Sequence, residues 1–418
     1  MVFKMKKYWN HRIGFWLRII LLICGLLVDA RILYNYKNVR SDFVQDYIAA
    51  ISLRQGSSLY GENTKKLESE MLGFSGPPNF HPPFNALLFL PFSFLTYGTA
   101  FVVLGIFSII SLLLINLFVV KGVGLNGDWL LNFSCFTLFW YPVIYCLAIG
   151  QTSMIIAACL VGGWFCLRSK KTYIAGFLFA IATLMKLFPG LVLLYLFMSK
   201  NWRTIFSMVS FIIIGFFVTT CIVGFDNVRT YAIVMIARDI NEWRGFVINH
   251  SIVGIVTRIF SDTGWTESLI QFPRFGSLLI VLLDSLILIY TILKMRVMAV
   301  KKELADYAFG LTIVAMLLLS PITWGNIFPV LILPIGLLLK EYIVESSSRK
   351  RILSLLVILF LSLPDMPIVK FLMAIHYPYR MPWYSMLLTL GPSAGIVLLW
   401  IVLIRRVGDS RVRIGKCH

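Results

Sequence analysis

Long apolar runs, separated by short clusters of Lys and Arg, follow one another along almost the whole chain. Runs such as 13–34, 99–120 and 205–223 have about the twenty residues that a helix needs to cross a bilayer. They are continuous and rich in Leu and Ile, without the alternation that is typical of membrane β-strands. The pattern predicts an all-α polytopic membrane protein with about twelve transmembrane helices.

The composition and the placement of charges indicate which partners to expect. Of 418 residues, 59% are hydrophobic, which is too many for a soluble globule to cover. The net charge of +19 is spread between the apolar runs, as in cytoplasmic loops that fix topology. We therefore expect membrane lipids as partners and no nucleic acid. The same charge bias predicts a multi-pass cell-membrane protein with both termini in the cytoplasm.

Two polar segments interrupt the apolar pattern within a single predicted domain, 1–418. Residues 36–84 are predicted to form the first extracytoplasmic loop, with short amphipathic helices, and residues 224–275 the second. Between them, Lys186 and Pro189 interrupt an apolar stretch that has basic residues at both ends. The positive-inside rule favours two short helices there, with Lys186 at their outer apex.

Acidic residues with catalytic potential follow the first predicted span. If residues 41–47 are helical, Asp42 and Asp46 share one face, and their repulsion favours protonation or pairing of one of them. Such a carboxylate is a candidate general base. The alternative is that both are interfacial charges that pair with Arg40 or Arg54.

Several cations fall on the same predicted outer side. His81 precedes two prolines at the head of an apolar helix, which is either an anion site or a structural helix entry. Lys186 is costly in its apolar stretch unless it meets an anion, such as a lipid phosphate, or snorkels to the interface. Arg258 has the bidentate geometry that suits a phosphate, and His250 lies near it in sequence.

The order of these motifs resembles glycosyltransferase family 87, a GT-C class family that includes polyprenol-phosphate-mannose-dependent mannosyltransferases. The resemblance covers most of the chain. It rests on the following residues: Asp42, Phe43, Tyr47, Ala49, Ala50, Gly56, Leu59, Tyr60, Pro82, Pro83, Phe84, Ala86, Leu87, Leu88, Pro91, Gly150, Gln151, Lys186, Pro189, Asn249, Ser251, Arg258, Ser320, Pro321 and Trp324. The chain departs from the family pattern at His81, at Thr152 or Ser153, at His250 and at Gly325-Asn326.

The resemblance implies a GT-C-type bundle and an inverting hexosyl- or pentosyltransferase with an extracytoplasmic active site. The donor would be a polyprenyl-phosphate sugar, most often mannose, and the acceptor a glycolipid or glycan. Asp42 would be the general base, with Asp46 as second choice, and no cofactor or metal is expected. The remaining roles are donor-phosphate binding by Lys186, Arg258, His250 and His81, and sugar or acceptor binding by Tyr47, Gln151, Asn249, Trp324 and Asn326.

Two other functions fit a basic, multi-span chain. A transporter or flippase of a lipid-linked or anionic solute would also carry intramembrane charges, but its site should lie near the midplane. A ligase or polymerase of lipid-linked glycans would share the outer site and use a larger diphosphate donor.

Overall fold

The computed structural model describes residues 2–39, 41–73, 78–344, 348–376 and 380–414, and these are almost entirely helical. The α-helices are α1 Val2–Tyr36, α2 Phe43–Arg54, α3 Glu62–Leu72, α4 Pro83–Leu88, α5 Tyr97–Val123, α6 Gly127–Leu138, α7 Tyr141–Ala148, α8 Ser153–Arg168, α9 Thr172–Met185, α10 Val192–Met198, α11 Trp202–Val223, α12 Phe225–Thr230, α13 Ile236–Trp243, α14 Ile252–Phe260, α15 Pro273–Met298, α16 Ala305–Leu319, α17 Ile332–Val344, α18 Ser348–Leu361, α19 Asp365–His376 and α20 Ser385–Ile414.

Short helices of other types connect some of these elements. They are the 3-10 helices Leu90–Phe94, Phe188–Leu191 and Gly325–Leu331 and the π-helix Tyr231–Met235. In the described ranges the β structure is limited to an isolated bridge between Thr266 and Met381. The predicted all-α polytopic membrane fold is confirmed.

Membrane-spanning potential is concentrated in the longer helices. By length and composition, five described helices can cross a bilayer, or seven if each of two bent pairs is one span. Four further apolar helices have 10–17 residues. The total of about twelve crossings remains a prediction.

The long helices differ in how much protein covers them. In α11 and α15 only 17% and 11% of the most apolar window is buried, so their Leu, Ile and Phe side chains face outward, as lipid-facing residues do. The segment Gly325–Ile343 is 78% buried and, with α16, forms the centre of the bundle. The site described below lies beside this centre.

The first predicted loop contains helices, but α2 is not a surface helix. Most of its side chains are buried, and it packs against α4 and the 3-10 helix Leu90–Phe94. Only α3 has the expected polar, amphipathic character. The reason is that Phe43 lies in an aromatic cluster with Tyr97 and Phe101, which draws α2 into the bundle.

The helix break at Lys186 occurs where the sequence indicates it. Helix α9 ends at Met185, Lys186 has an extended backbone, and a 3-10 turn containing Pro189 leads into α10. Proline cannot supply the backbone N–H that a continuous helix would need at this point. The break leaves the Lys186 side chain outside both helices.

Candidate active site

A cavity of about 780 Å³ lies between the first predicted loop, the Lys186 break and the segments around 239–265 and 320–327. Its volume is within the range of small-molecule sites. Acidic, basic and amide side chains occupy part of its wall. Much of the remaining lining is apolar, including Leu187, Phe188 and Leu191 directly beside Lys186.

Asp42 reaches the cavity because the start of α2 is tied to the turn before α8. The Phe43 N–H donates to the Ile149 carbonyl at 3.3 Å. Gly150 has φ +65°, and a Cβ there would lie 2.8 Å from both Phe43 and Phe101 side-chain atoms. Only glycine fits this turn, which sets Gln151 next to Asp42.

Gln151 connects the candidate base to the candidate phosphate-binding cation. Its Nε2 donates to Asp42 Oδ2 at 2.7 Å, and its Oε1 accepts from Lys186 Nζ at 3.2 Å. All three residues line the cavity. A carboxylate, an amide and an ammonium thus form one hydrogen-bonded chain on the wall.

Asp46 lies behind His81. It is 1% exposed, is not part of the cavity lining, and its Oδ1 contacts His81 Nδ1 at 2.8 Å and accepts from Asn85 Nδ2 at 3.1 Å. Because a carboxylate accepts, the ring nitrogen that faces it is the donor, which fixes the orientation of the imidazole. Asp42 and Asp46 therefore have different surroundings: Asp42 lines the cavity, whereas Asp46 orients His81, which lines it.

Of the two arginines that could pair with the acidic residues, the described one, Arg54, pairs with neither Asp42 nor Asp46. Arg54 donates to the Ser93 carbonyl and lies over the Phe94 ring. Arg40 lies outside the described residues. The contacts of Arg54 fix it to the 3-10 helix rather than to either carboxylate.

Asp239, on α13, is a cavity carboxylate that sequence reasoning placed only in the second predicted loop. Burial raises its pKa from 3.8 to about 6, and the charges of His81 and Lys186 partly offset this effect. Glu242 and Asp42 raise it further. The folded protein therefore holds the Asp239 proton to higher pH than the unfolded chain does.

This shift predicts a pH-dependent gain in stability for Asp239→Asn. Between pH 4 and pH 6 the folded state binds more protons than the unfolded state, so wild-type stability falls as pH rises through this window. Asn does not titrate, so the advantage of the variant grows across the window to at most about 3 kcal/mol at neutral pH. Melting temperatures in detergent at pH 5, 6 and 7.5 measure it.

The matched control is Asp226→Asn, which changes an exposed carboxylate. Its stability difference from wild type should stay constant over the same pH range. A constant difference for Asp239→Asn as well would contradict the assignment of the raised pKa.

Arg258 and Asn249 do not reach the cavity, contrary to the sequence-based expectation. Arg258 is 1% exposed, and its Nη1 donates to the carbonyls of Phe246 and Asn249 at 2.7 and 2.8 Å. The Asn249 amide donates to Pro321 O and accepts from the Thr323 N–H. Both side chains hydrogen-bond to backbone, although Arg258 Nε and Nη2 have no partner among the described residues. Neither side chain lines the cavity.

His250 likewise lies in a buried network and does not line the cavity. Its Nε2 contacts Asp365 Oδ2 at 2.8 Å and its Nδ1 contacts Ser393 Oγ at 3.0 Å. Tyr141 donates to the other Asp365 oxygen at 3.2 Å. The network joins α7, α19 and α20 to the segment that precedes α14.

We expect His250→Ala to lower stability rather than donor affinity. The substitution leaves Asp365 buried without its main partner, a change that costs about 3–5 kcal/mol in comparable pairs. Thermal unfolding in detergent measures the loss, with His376→Ala, a half-buried histidine at the end of α19, as control. Unchanged stability with a raised donor KM would restore the phosphate-binding role.

The predicted sugar-contacting residues divide into two groups. Tyr47 is 3% exposed, donates to the Leu95 carbonyl and does not line the cavity. Gln151, Trp324 and Asn326 do line it. Among the lining residues that sequence reasoning missed are Asp239, Trp243, Phe246 and Trp265. The available signal was the spacing of Asp239 and Trp243, which lie one turn apart on an amphipathic helix.

Metal binding receives no support from the described part of the chain, where no three His, Cys, Asp or Glu side chains are grouped around a common point. Metal-independent activity remains a prediction. The carboxylates of the cavity are instead arranged around amide and cationic partners.

Comparison with known protein families gives one match. The model of glycosyltransferase family 87 matches residues 79–321, which is more than half of the chain and includes His81, Gln151, Lys186 and Asp239. No curated protein matches the chain. The matched range begins after Asp42, whose place in the site rests on its contact with Gln151.

Proposed function

Because the chain belongs to glycosyltransferase family 87, it is a glycosyltransferase, and we propose that it moves a sugar, mannose in the first instance, from a polyprenyl phosphate to a glycolipid or glycan acceptor. The observation that carries this proposal is the Asp42–Gln151–Lys186 chain on the wall of a largely apolar cavity. It puts a base and a cation in hydrogen-bonding contact with the same amide.

Lys186 is the proposed partner of the donor phosphate. Its ammonium lies where the polar wall meets Leu187, Phe188 and Leu191. A polyprenyl phosphate likewise has a charged head next to an apolar isoprenoid chain. Fixed cations stabilise charge strongly where water is excluded. His81, held by Asp46, is a second donor for the phosphate in its imidazolium form, in which Nδ1 donates to Asp46 and Nε2 also carries a proton.

Asp42 is the proposed general base. The acceptor hydroxyl attacks the anomeric carbon, its proton passes to Asp42, and the bond between that carbon and the phosphate oxygen breaks. Polyprenyl phosphate leaves with the bonding electrons, stabilised by Lys186. This single displacement inverts the anomeric configuration.

The cavity is proposed to face the extracytoplasmic side. Basic residues precede α9 and follow α10, whereas Lys186 lies at the break between them. Lys and Arg concentrate on the cytoplasmic side of membrane proteins. The end of this helix pair that carries Lys186 is therefore assigned to the outside.

The test is incubation of the purified protein with radiolabelled polyprenyl-phosphate mannose and a total lipid extract of its own cells. Appearance of label in a new glycolipid or glycan, and its absence with heat-inactivated protein, is the expected result. Movement of unchanged donor across vesicles without a new product would favour a flippase. Transfer only from diphosphate-linked oligosaccharides would favour a ligase or polymerase.

A further inference from the structure

Four aromatic side chains form one continuous part of the cavity wall: Trp243, Phe246, Trp265 and Trp324. Trp243 stacks on Trp265 with 5.2 Å between ring centroids, and the Trp324 ring meets Trp243 edge-on at 5.5 Å. Phe246 meets Trp265 at 4.8 Å. These mutual contacts hold the rings in place, so the wall is rigid before any ligand binds.

Polar groups lie among these rings. Asp239 is one turn before Trp243 on α13 and lines the same cavity. Trp324 Nε1 and Asn326 Nδ2 are buried at the wall and have no hydrogen-bond partner within the described part of the chain. Asn326 is 1% exposed. Buried donors without acceptors are costly, which indicates a ligand that supplies oxygen atoms.

A sugar ring has the matching surface, because its C–H face is apolar and its edge carries hydroxyl groups. An isoprenoid chain would cover the aromatic rings equally well, but it would leave the Trp324 and Asn326 donors and the Asp239 carboxylate without partners. We propose that Trp243, Trp265 and Trp324, with Asp239 and Asn326, bind the terminal sugar of the acceptor. This inference rests on the proposed function.

The aromatic wall suits the acceptor sugar better than the donor, because the residues assigned to the donor lie on the adjacent part of the cavity wall. Lys186, Gln151 and Asp42 are assigned to the donor phosphate and to the transferred proton. Asp239 interacts electrostatically with Lys186 and Asp42, so the aromatic wall adjoins that group of residues without being part of it. A second sugar held there would present a hydroxyl to the anomeric carbon.

The test compares two reactions of the same enzyme: transfer of mannose to octyl α-mannoside, and slow hydrolysis of the donor by water without acceptor. Trp243→Ala should raise the KM for octyl α-mannoside about fivefold, since an aromatic contact contributes about 1 kcal/mol. Donor hydrolysis and donor KM should stay as in wild type. Trp202→Ala, an exposed tryptophan at the start of α11, is the matched control.

Trp324→Phe is the second variant, in case loss of Trp243 disturbs packing. It keeps one aromatic ring and removes the Nε1 donor with part of the indole surface, so the acceptor KM should rise while the donor KM stays as in wild type. Parallel loss of hydrolysis and transfer in both variants would overturn the proposal in favour of a donor-sugar site, and altered dependence on donor chain length would overturn it in favour of a lipid site.

A different result would contradict the proposed function itself: absence of both reactions when the wild-type protein is given polyprenyl-phosphate donors. In that case, quenching of tryptophan fluorescence by octyl α-mannoside still tests the wall. Quenching that is lost in Trp243→Phe supports the sugar site, and no quenching in the wild type overturns it.

Discussion

Asp42→Asn is expected to lower the rate of sugar transfer by about 10³-fold, within the range that general bases contribute. Asn keeps the size of the side chain and can still pair with Gln151, whose amide accepts or donates in either orientation. It cannot take up the proton of the acceptor hydroxyl. Initial rates with radiolabelled polyprenyl-phosphate mannose, at saturating donor and acceptor, measure the change.

Two variants control this result. Asp226→Asn makes the same chemical change at an exposed position and should leave the rate unaltered. Asp46→Asn removes the charge behind His81 and should give an intermediate loss, because Asp46 does not line the cavity. Full activity of Asp42→Asn together with an inactive Asp46→Asn would transfer the role of base to Asp46.

The second large effect is expected from Lys186→Ala, which should reduce kcat/KM for the donor about 10²-fold. Truncation of one member of a buried charged pair typically costs 2–5 kcal/mol, and the lipid phosphate would lose its nearest cation. The KM for the acceptor should change much less. Steady-state kinetics with each substrate varied in turn give the comparison.

Lys121→Ala is the matched control, because Lys121 is exposed at the end of α5. Lys186→Arg should recover part of the donor affinity, since the charge returns while the contact with Gln151 is altered. Equal losses for donor and acceptor in Lys186→Ala would mean that Lys186 supports the structure and does not bind phosphate.

The sequence correctly indicated those cavity residues whose role can be inferred from their immediate neighbours in the chain. Lys186 is conspicuous because an ammonium in an apolar stretch needs an anion or water, and Gln151 follows a glycine turn between two apolar helices. Asp42 follows the first long helix directly. These features depend on neighbours in sequence, so the sequence alone brings them to notice.

Arg258, Asn249 and His250 show why some predicted site residues do not line the cavity. Their side chains have the hydrogen-bonding capacity that ligand binding requires, but buried backbone carbonyls and the Asp365 carboxylate hold them in place, using all of that capacity for Asn249 and part of it for Arg258. Such demand arises from tertiary packing and leaves no local signal. A polar residue in a loop is therefore weaker evidence for a site than a cation in an apolar segment.

Most of the aromatic wall was missed for a related reason. Of its tryptophans only Trp324 was predicted; Trp243 and Trp265 are far from it in the chain and are unremarkable among the many aromatic residues of a membrane protein. Their significance depends on mutual stacking and on the shared cavity. Neither property follows from spacing.

Donor affinity in an Asp42→Asn background tests the central claim most directly, because without turnover the binding of labelled polyprenyl-phosphate mannose can be measured at equilibrium. We expect Asp42→Asn to bind the donor within about twofold of wild type, and the double variant with Lys186→Ala to bind it at least about tenfold more weakly. Equal donor binding by the single and double variants would contradict the account, since the phosphate would then be held elsewhere.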